Sequence, residues 1–78
     1  MNVTLKLPRL SMNMVQATIT TWHKQVGDAI TEGEVLYDVE TEKVTSEVPS
    51  PATGVLVEIL AESGSELEVG DPVCKVSI

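Results

Sequence analysis

Phenylalanine is absent from the 78 residues, and one Trp (Trp22) and one Tyr (Tyr37) are the whole aromatic complement. Any core is therefore aliphatic and largely β-branched, a composition that favours strands. Soft metal ligands and nucleophiles are almost as scarce. With His23 and Cys74 alone, neither a Cys/His zinc site nor a Cys–His nucleophilic pair is readily built, and a lone cysteine closes no internal disulfide. Cys74 reads as a small core residue and His23 as a solvated strand end. Basic residues number five against 12 acids, and the net charge of −7 would repel phosphate backbones and anionic membrane surfaces. Neither a nucleic acid nor a membrane is an expected partner. No apolar run reaches about 18 residues and no basic-then-apolar leader opens the chain, so the expectation is a soluble, cytoplasmic protein. There is no glycine-rich phosphate loop, and no serine stands in a strand–turn–helix nucleophile context. A chain this short buries only roughly 60 to 65 per cent of its unfolded surface, which leaves little core from which to carve a substrate cleft. One domain spanning 1–78, without catalysis of its own, is expected.

What the sequence does contain is a succession of short β-like runs: Val3 to Leu7, Ala17 to His23, Glu34 to Thr41, Val44 to Val48, Gly54 to Leu60 and Pro72 to Ile78. Valine, isoleucine and threonine dominate them, and glycines and prolines punctuate them. The pattern also repeats. A shift of 37 positions carries Ala17 to Gly54, Ile19 to Leu56, Trp22 to Ile59, Gly27 to Gly64, Ile30 to Leu67, Gly33 to Gly70 and Leu36 to Val73. Each half thus reads strand, glycine turn, short apolar link, Gly-acid, strand. An all-β fold follows, a flattened barrel or sandwich of two sheets packed face to face with an internal pseudo-twofold repeat. Under the same shift Thr41 falls on Ile78, so residues 42–53 have no counterpart and are expected to form the turn between the halves.

Alternation in the middle of the chain runs to Thr41 and resumes at Val44, which places a two-residue turn at Glu42 and Lys43. Antiparallel closure there sets Thr41 against Val44, Val39 against Ser46 and Tyr37 against Val48 on a mostly apolar face. The other face sets Glu40 against Thr45 and Asp38 against Glu47. Two acids placed across a strand pair repel each other, so stability does not account for them. Nor does turn chemistry account for a Glu-Lys tip, because two-residue hairpins favour Asn-Gly and other glycine-containing pairs. Two readings stand on these residues alone. The tip is a solvated edge with Lys43 relieving nearby acids, or Lys43 is presented on a tight turn for modification by another protein, its amine being suited to amide linkage with a carboxylic acid cofactor.

Taken together, Pro8-Arg-Leu-Ser-Met-Asn-Met14, Trp22, Val26-Gly27-Asp28, Glu34-Val-Leu36, Glu40-Thr-Glu-Lys-Val44 and the Gly54 to Val57 strand resemble the lipoyl domain of 2-oxo acid dehydrogenase acyltransferases. The resemblance covers essentially the whole chain. In place of the family's Glu-Thr-Asp-Lys-Ala or Glu-Thr-Asp-Lys-Val, this chain has Glu42 for the aspartate and keeps its charge. The resemblance implies two antiparallel four-stranded sheets, lipoic acid in amide linkage to Lys43 at one end, and both chain termini near the other. Flanking recognition would fall to Glu40, Thr41, Glu42, Val44, Asp38 and Glu47, with no catalytic residue and no metal.

The same resemblance implies a swinging-arm carrier that behaves as a monomeric domain. A lipoate ligase or lipoyl transferase would load it. Its further partners would be a thiamine-diphosphate-dependent decarboxylase that reductively acylates the lipoyl group, an acyltransferase core that passes the acyl group to coenzyme A, and a dihydrolipoyl dehydrogenase that reoxidises it. Alternatives are a biotin carrier module of a carboxylase, an unmodified lipoyl-like structural adaptor, and a glycine-cleavage carrier, which by resemblance has a longer chain. Met12-Asn-Met14 is similar to the Met-Lys-Met of biotin carriers but has Asn13 where the lysine must stand. Met12 and Met14 read as loop or partial-core residues beside the hairpin, and Trp22 as a core residue.

Overall fold

A computed structural model describes residues 1–10, 12–42 and 44–78. Eight strands run in the order β1 (Asn2–Lys6), β2 (Gln16–Trp22), β3 (Ala29–Ile30), β4 (Val35–Glu40), β5 (Thr45–Pro49), β6 (Gly54–Ile59), β7 (Glu66–Glu68) and β8 (Pro72–Ser77). They build two four-stranded antiparallel sheets, ordered β1-β8-β6-β3 and β5-β4-β2-β7. No helix occurs among the described residues, and none is therefore long and apolar enough to cross a membrane. The six runs expected from alternation match β1, β2, β4, β5, β6 and β8 to within a residue or two. The two short apolar links are corrected to strands. Ala29–Ile30 and Glu66–Glu68 each pair with a neighbour, but two or three residues are too few to show alternation.

The repeat extends into details that composition could not carry. Register shifts fall between Ile19 and Thr21 and between Leu56 and Glu58, positions related by the same displacement. A second, separate pair of shifts leaves Leu36 as the extra residue in β4 opposite β5 and Val73 in β8 opposite β1, so two successive side chains turn inward in each half, Leu36 with Tyr37 and Val73 with Cys74. The turns correspond as well: Gly27 and Gly64 have φ of 99° and 95°, in the left-handed region where side chains are disfavoured. Their N–H groups donate to Leu56 and Ile19, again symmetry-related.

The expectation that residues 42–53 form only a connecting turn without a counterpart is corrected. They contain β5, and its equivalent is β1, since each is the edge strand beside one of the symmetry-related strands β4 and β8. The pairing lies outside the 37-residue shift because β1 comes at the start of the chain and β5 in its middle. Equivalence is visible in the closures: Thr41 N–H donates to Val44 O at 2.8 Å, and Ile78 N–H donates to Met1 O at 2.9 Å. The hairpin tip therefore occupies, in its sheet, the place where the two chain ends meet in the other.

The core between the sheets is aliphatic as expected, with Ile19, Leu36, Val39, Leu56, Val73 and Val76 fully enclosed. Trp22 packs on it with its ring 4.8 Å from that of Tyr37 and donates from Nε1 to Ala61 O at 2.9 Å, so its polar edge is satisfied. Cys74 is buried in the same core, and that burial pushes its thiol up to about 11. A thiol held neutral in this way is a poor nucleophile.

Candidate functional site

The register of β4 and β5 is the one alternation requires: Tyr37 opposite Val48, Asp38 opposite Glu47, Val39 opposite Ser46, Glu40 opposite Thr45. Tyr37, Val39 and Val48 are buried, while Glu40, Thr45 and Glu47 are exposed, so one face of the hairpin is anchored in the core and the other faces water. A register slip would exchange the two faces, which fixes where the tip stands. Of the expected site residues, Lys43 lies outside the described residues, and so does Ser11 of the Pro8–Met14 segment. Its neighbours Glu42 and Val44 are both exposed, Val44 with 58% of its surface accessible.

The turn is closed by a side chain as well as by the backbone. Thr41 Oγ1 accepts the Val44 N–H at 3.3 Å and donates to Val44 O at 3.2 Å, alongside the main-chain bond from Thr41 N–H. A threonine at this position thus compensates for the lack of a turn-favouring glycine, a role that alternation alone does not reveal.

Asp38 is also more constrained than its cross-strand position suggests. Besides facing Glu47, Asp38 has a partner on the neighbouring strand: its Oδ1 lies 2.9 Å from His23 Nε2 and accepts a hydrogen bond where that nitrogen carries a proton. His23 is exposed, yet it is not merely a solvated strand end. The paired strands β2 and β4 bring it to Asp38, and the sequence separation of 15 residues hid the contact. Glu40 is joined by an acid that sequence reading missed. Thr18 of β2 pairs with Glu40 on one side and with Glu66 of β7 on the other, so two carboxylates flank one threonine on the outer face. Glu66 escaped notice because β7 read as a link.

Beside the tip runs a groove of about 650 Å³, with Thr41, Glu42 and Val44 on one side and Met14, Val15 and Ala17 on the other. The two methionines separate sharply. Met14 is core, 5% exposed, its sulfur accepting the Leu10 N–H at 3.3 Å, whereas Met12 is 89% exposed on the loop. No cluster of metal-ligating side chains is formed among the described residues.

Comparison with known proteins completes the picture. Residues 3–76 match the sequence profile of the biotin/lipoyl family described as "Biotin-requiring enzyme". The succinyltransferase component of the Staphylococcus saprophyticus 2-oxoglutarate dehydrogenase complex is 43% identical over 92% of this chain, and the acetyltransferase component of the Corynebacterium glutamicum pyruvate dehydrogenase complex 39% over 92%. The chain spans only 17% and 11% of the lengths of those two relatives. The solution structure of the lipoyl domain from the Azotobacter vinelandii 2-oxoglutarate dehydrogenase complex superposes with a TM-score of 0.76 at 33% identity, over 97% of this chain and 96% of that one. An eight-stranded double sheet, a core-anchored hairpin with an exposed tip and similarity along nearly its whole length place this chain in the biotin/lipoyl attachment family, as a lipoyl domain.

Proposed function

We propose that residues 1–78 form one lipoyl-type carrier domain in which Lys43 holds lipoic acid in amide linkage and no residue of the domain is catalytic. The observation that carries the reading is the hairpin: a core-anchored register leads to a turn closed between Thr41 and Val44, with Glu40, Glu42 and Val44 exposed and Thr41 half-buried. The surroundings fit the group. A turn with exposed Glu42 and Val44 admits a modifying enzyme, and an open groove with exposed Val15 adjoins it. When bound, the lipoyl group supplies a dithiolane that carries acyl groups and reducing equivalents between active sites.

The chain's own residues act by holding and presenting. Tyr37, Val39 and Val48 fix the hairpin on the core, and Thr41 and Val44 close it. Glu40, Glu42, Asp38 and Glu47 give the tip a negative field that steers encounter with a basic entrance on a partner. A lipoate ligase or lipoyl transferase is the loading partner. A thiamine-diphosphate-dependent decarboxylase, an acyltransferase core and a dihydrolipoyl dehydrogenase are the enzymes served, in a 2-oxo acid or acetoin-type dehydrogenase complex. Tethering raises the carrier's effective concentration at each of them. The placement of such a system is cytoplasmic, in keeping with a single, buried cysteine.

The test is intact mass and peptide mapping of protein expressed in a lipoate-supplied host. One lipoyl adduct on Lys43 is expected, with none on Lys6, Lys24 or Lys75. A Lys43→Arg protein that still accepts lipoate refutes the assignment, and a streptavidin-positive, lipoyl-negative product would move the domain to the biotin carriers.

A further inference from the structure

Where the two repeats cross, an open depression of about 540 Å³ is lined by two symmetry-related pairs, Trp22 with Ile59 and Val26 with Ser63. It therefore sits on the pseudo-twofold axis. The crossing is held by the turn bonds, Gly27 N–H to Leu56 O at 2.7 Å and Gly64 N–H to Ile19 O at 2.6 Å. Trp22 has no polar group to spare for an occupant, because its Nε1 is already bonded to Ala61 O, and it offers only its ring. Val26, 58% exposed, and the half-buried Ile59 add aliphatic surface beside that ring.

The internal symmetry separates what the fold needs here from what it does not. Glu58 and Glu62 line the depression from the second repeat, and the residues at their places in the first are neutral, Thr21 and Gln25. Equivalent turns and bulges surround both sets, so the backbone does not call for carboxylates. Both acids are exposed. Lys75 Nζ lies 3.8 Å from Glu58 Oε1, but an exposed pair at that distance contributes little, and among the described residues no lysine or arginine lines the depression. Two carboxylates around an indole and aliphatic side chains select a cation on an apolar stem. Arginine meets the description best: its planar guanidinium stacks on aromatic rings and forks to carboxylates, and its methylenes cover apolar surface. A second copy of this chain, at a net charge of −7, would instead be repelled.

We propose that this depression docks a basic segment of a partner protein, with one arginine against Trp22 between Glu58 and Glu62 and an aliphatic neighbour against Val26 and Ile59. A partner held there leaves the hairpin turn uncovered. Along β2 the pairs run from Thr18 opposite Glu40, next to the turn, to Trp22 opposite Tyr37, four residues or roughly 13 Å away. The inference does not depend on lipoylation, so its test uses the unmodified chain. Trp22 is the single tryptophan, and its emission reports the site directly. The probe is a blocked, tryptophan-free hexapeptide, Ala-Leu-Arg-Leu-Arg-Ala, compared with the same peptide carrying neutral citrulline for both arginines. A saturable change in emission is expected with the arginine peptide at low salt, and a several-fold weaker one with citrulline. Glu58→Gln with Glu62→Gln should weaken binding by roughly three- to tenfold, and the fold should persist because neutral residues already stand at the equivalent places. Glu66→Gln with Glu68→Gln makes the same change of net charge on the other sheet and should leave the affinity within about twofold. Amide NMR shifts in the same titration should centre on Val26, Ile59 and Ser63, away from Glu42 and Val44. The docking site is overturned by no saturable change, by equal binding of the citrulline peptide, by equal losses in the two double variants, or by shifts centred on Glu42 and Val44.

Discussion

Replacing Thr41 with valine keeps the branched shape at the turn and removes one hydroxyl. What is lost can be worked from the closure. The side chain bonds the Val44 N–H at 3.3 Å and Val44 O at 3.2 Å, while the main-chain bond at 2.8 Å does not depend on it. Both side-chain distances are long for their types and the groups reach water, so together they contribute about 0.5 to 1 kcal/mol rather than the full net value of two good bonds. In a domain of this size that is a fall in Tm of roughly 2 to 8 °C. Thr41→Ser retains donor and acceptor and should lose less than half as much. The assay is thermal unfolding of the unmodified chain followed by circular dichroism, run alongside the initial rate of lipoate attachment by a ligase. A loosened turn is presented less often in the geometry a ligase accepts, so the valine variant is expected to be modified several-fold more slowly and the serine variant at close to the parental rate. If Thr41→Val melts within 1 °C of the parent, about the resolution of the measurement, and is modified equally fast, the hydroxyl has no part in holding the tip.

Gly27→Val and Gly33→Val should unfold the domain or lower its Tm severely, because their φ values of 99° and 89° are closed to a β-branched residue. Attachment at Lys43 should fail with the fold, and equal modification of an isolated 38–48 peptide would refute that dependence. Glu47→Gln should leave stability unchanged or raise it by a few tenths of a kcal/mol as cross-strand repulsion is relieved. Asp38→Asn should not show that gain, since it weakens the contact with His23. Both amides should slow reductive acylation by a cognate decarboxylase in its apparent second-order rate, an effect that shrinks with salt; unchanged rates in the double variant at low salt reduce these acids to a solvated face. Because burial raises the Cys74 thiol from 9.0 to about 11, the folded state holds its proton where the unfolded chain releases it. Stability from this group is complete below pH 9 and declines by about 2 to 3 kcal/mol as pH rises to 11. Denaturant midpoints across that range should show it, and Cys74→Val should remove the onset at pH 9, leaving a later decline from Tyr37, whose hydroxyl burial also raises.

Much of this was legible because alternation and turn glycines are local signals. Val35 to Glu40 and Thr45 to Pro49 alternate across a turn, so their register followed from counting, and the 37-residue spacing of glycines announced the symmetry before any sheet was seen. What escaped was set by tertiary pairing. β3 and β7 are strands only because β6 and β2 lie alongside them, and no run of two or three residues declares its period. The contact between His23 and Asp38 depends on strand register across 15 residues, and the kinship of β1 with β5 crosses the chain ends, where a shift along a linear sequence cannot reach. Lys43 was singled out by the residues around it and lies outside the described residues, and Thr41 was named as a flank without its role in closing the turn.

The meeting of Met1 and Ile78 has a mechanical consequence. Their mutual bonds, Met1 N to Ile78 O at 3.0 Å and Ile78 N to Met1 O at 2.9 Å, close one end of the β1–β8 ladder. A tension applied through the two ends of these residues would therefore enter a single antiparallel pair, opening it like a zipper one rung at a time. The β4–β5 hairpin belongs to the other sheet and lies off that load path. Pulls applied through Met1 and Ile78 would be taken up first at β1 and β8, while the Thr41–Val44 turn keeps its shape.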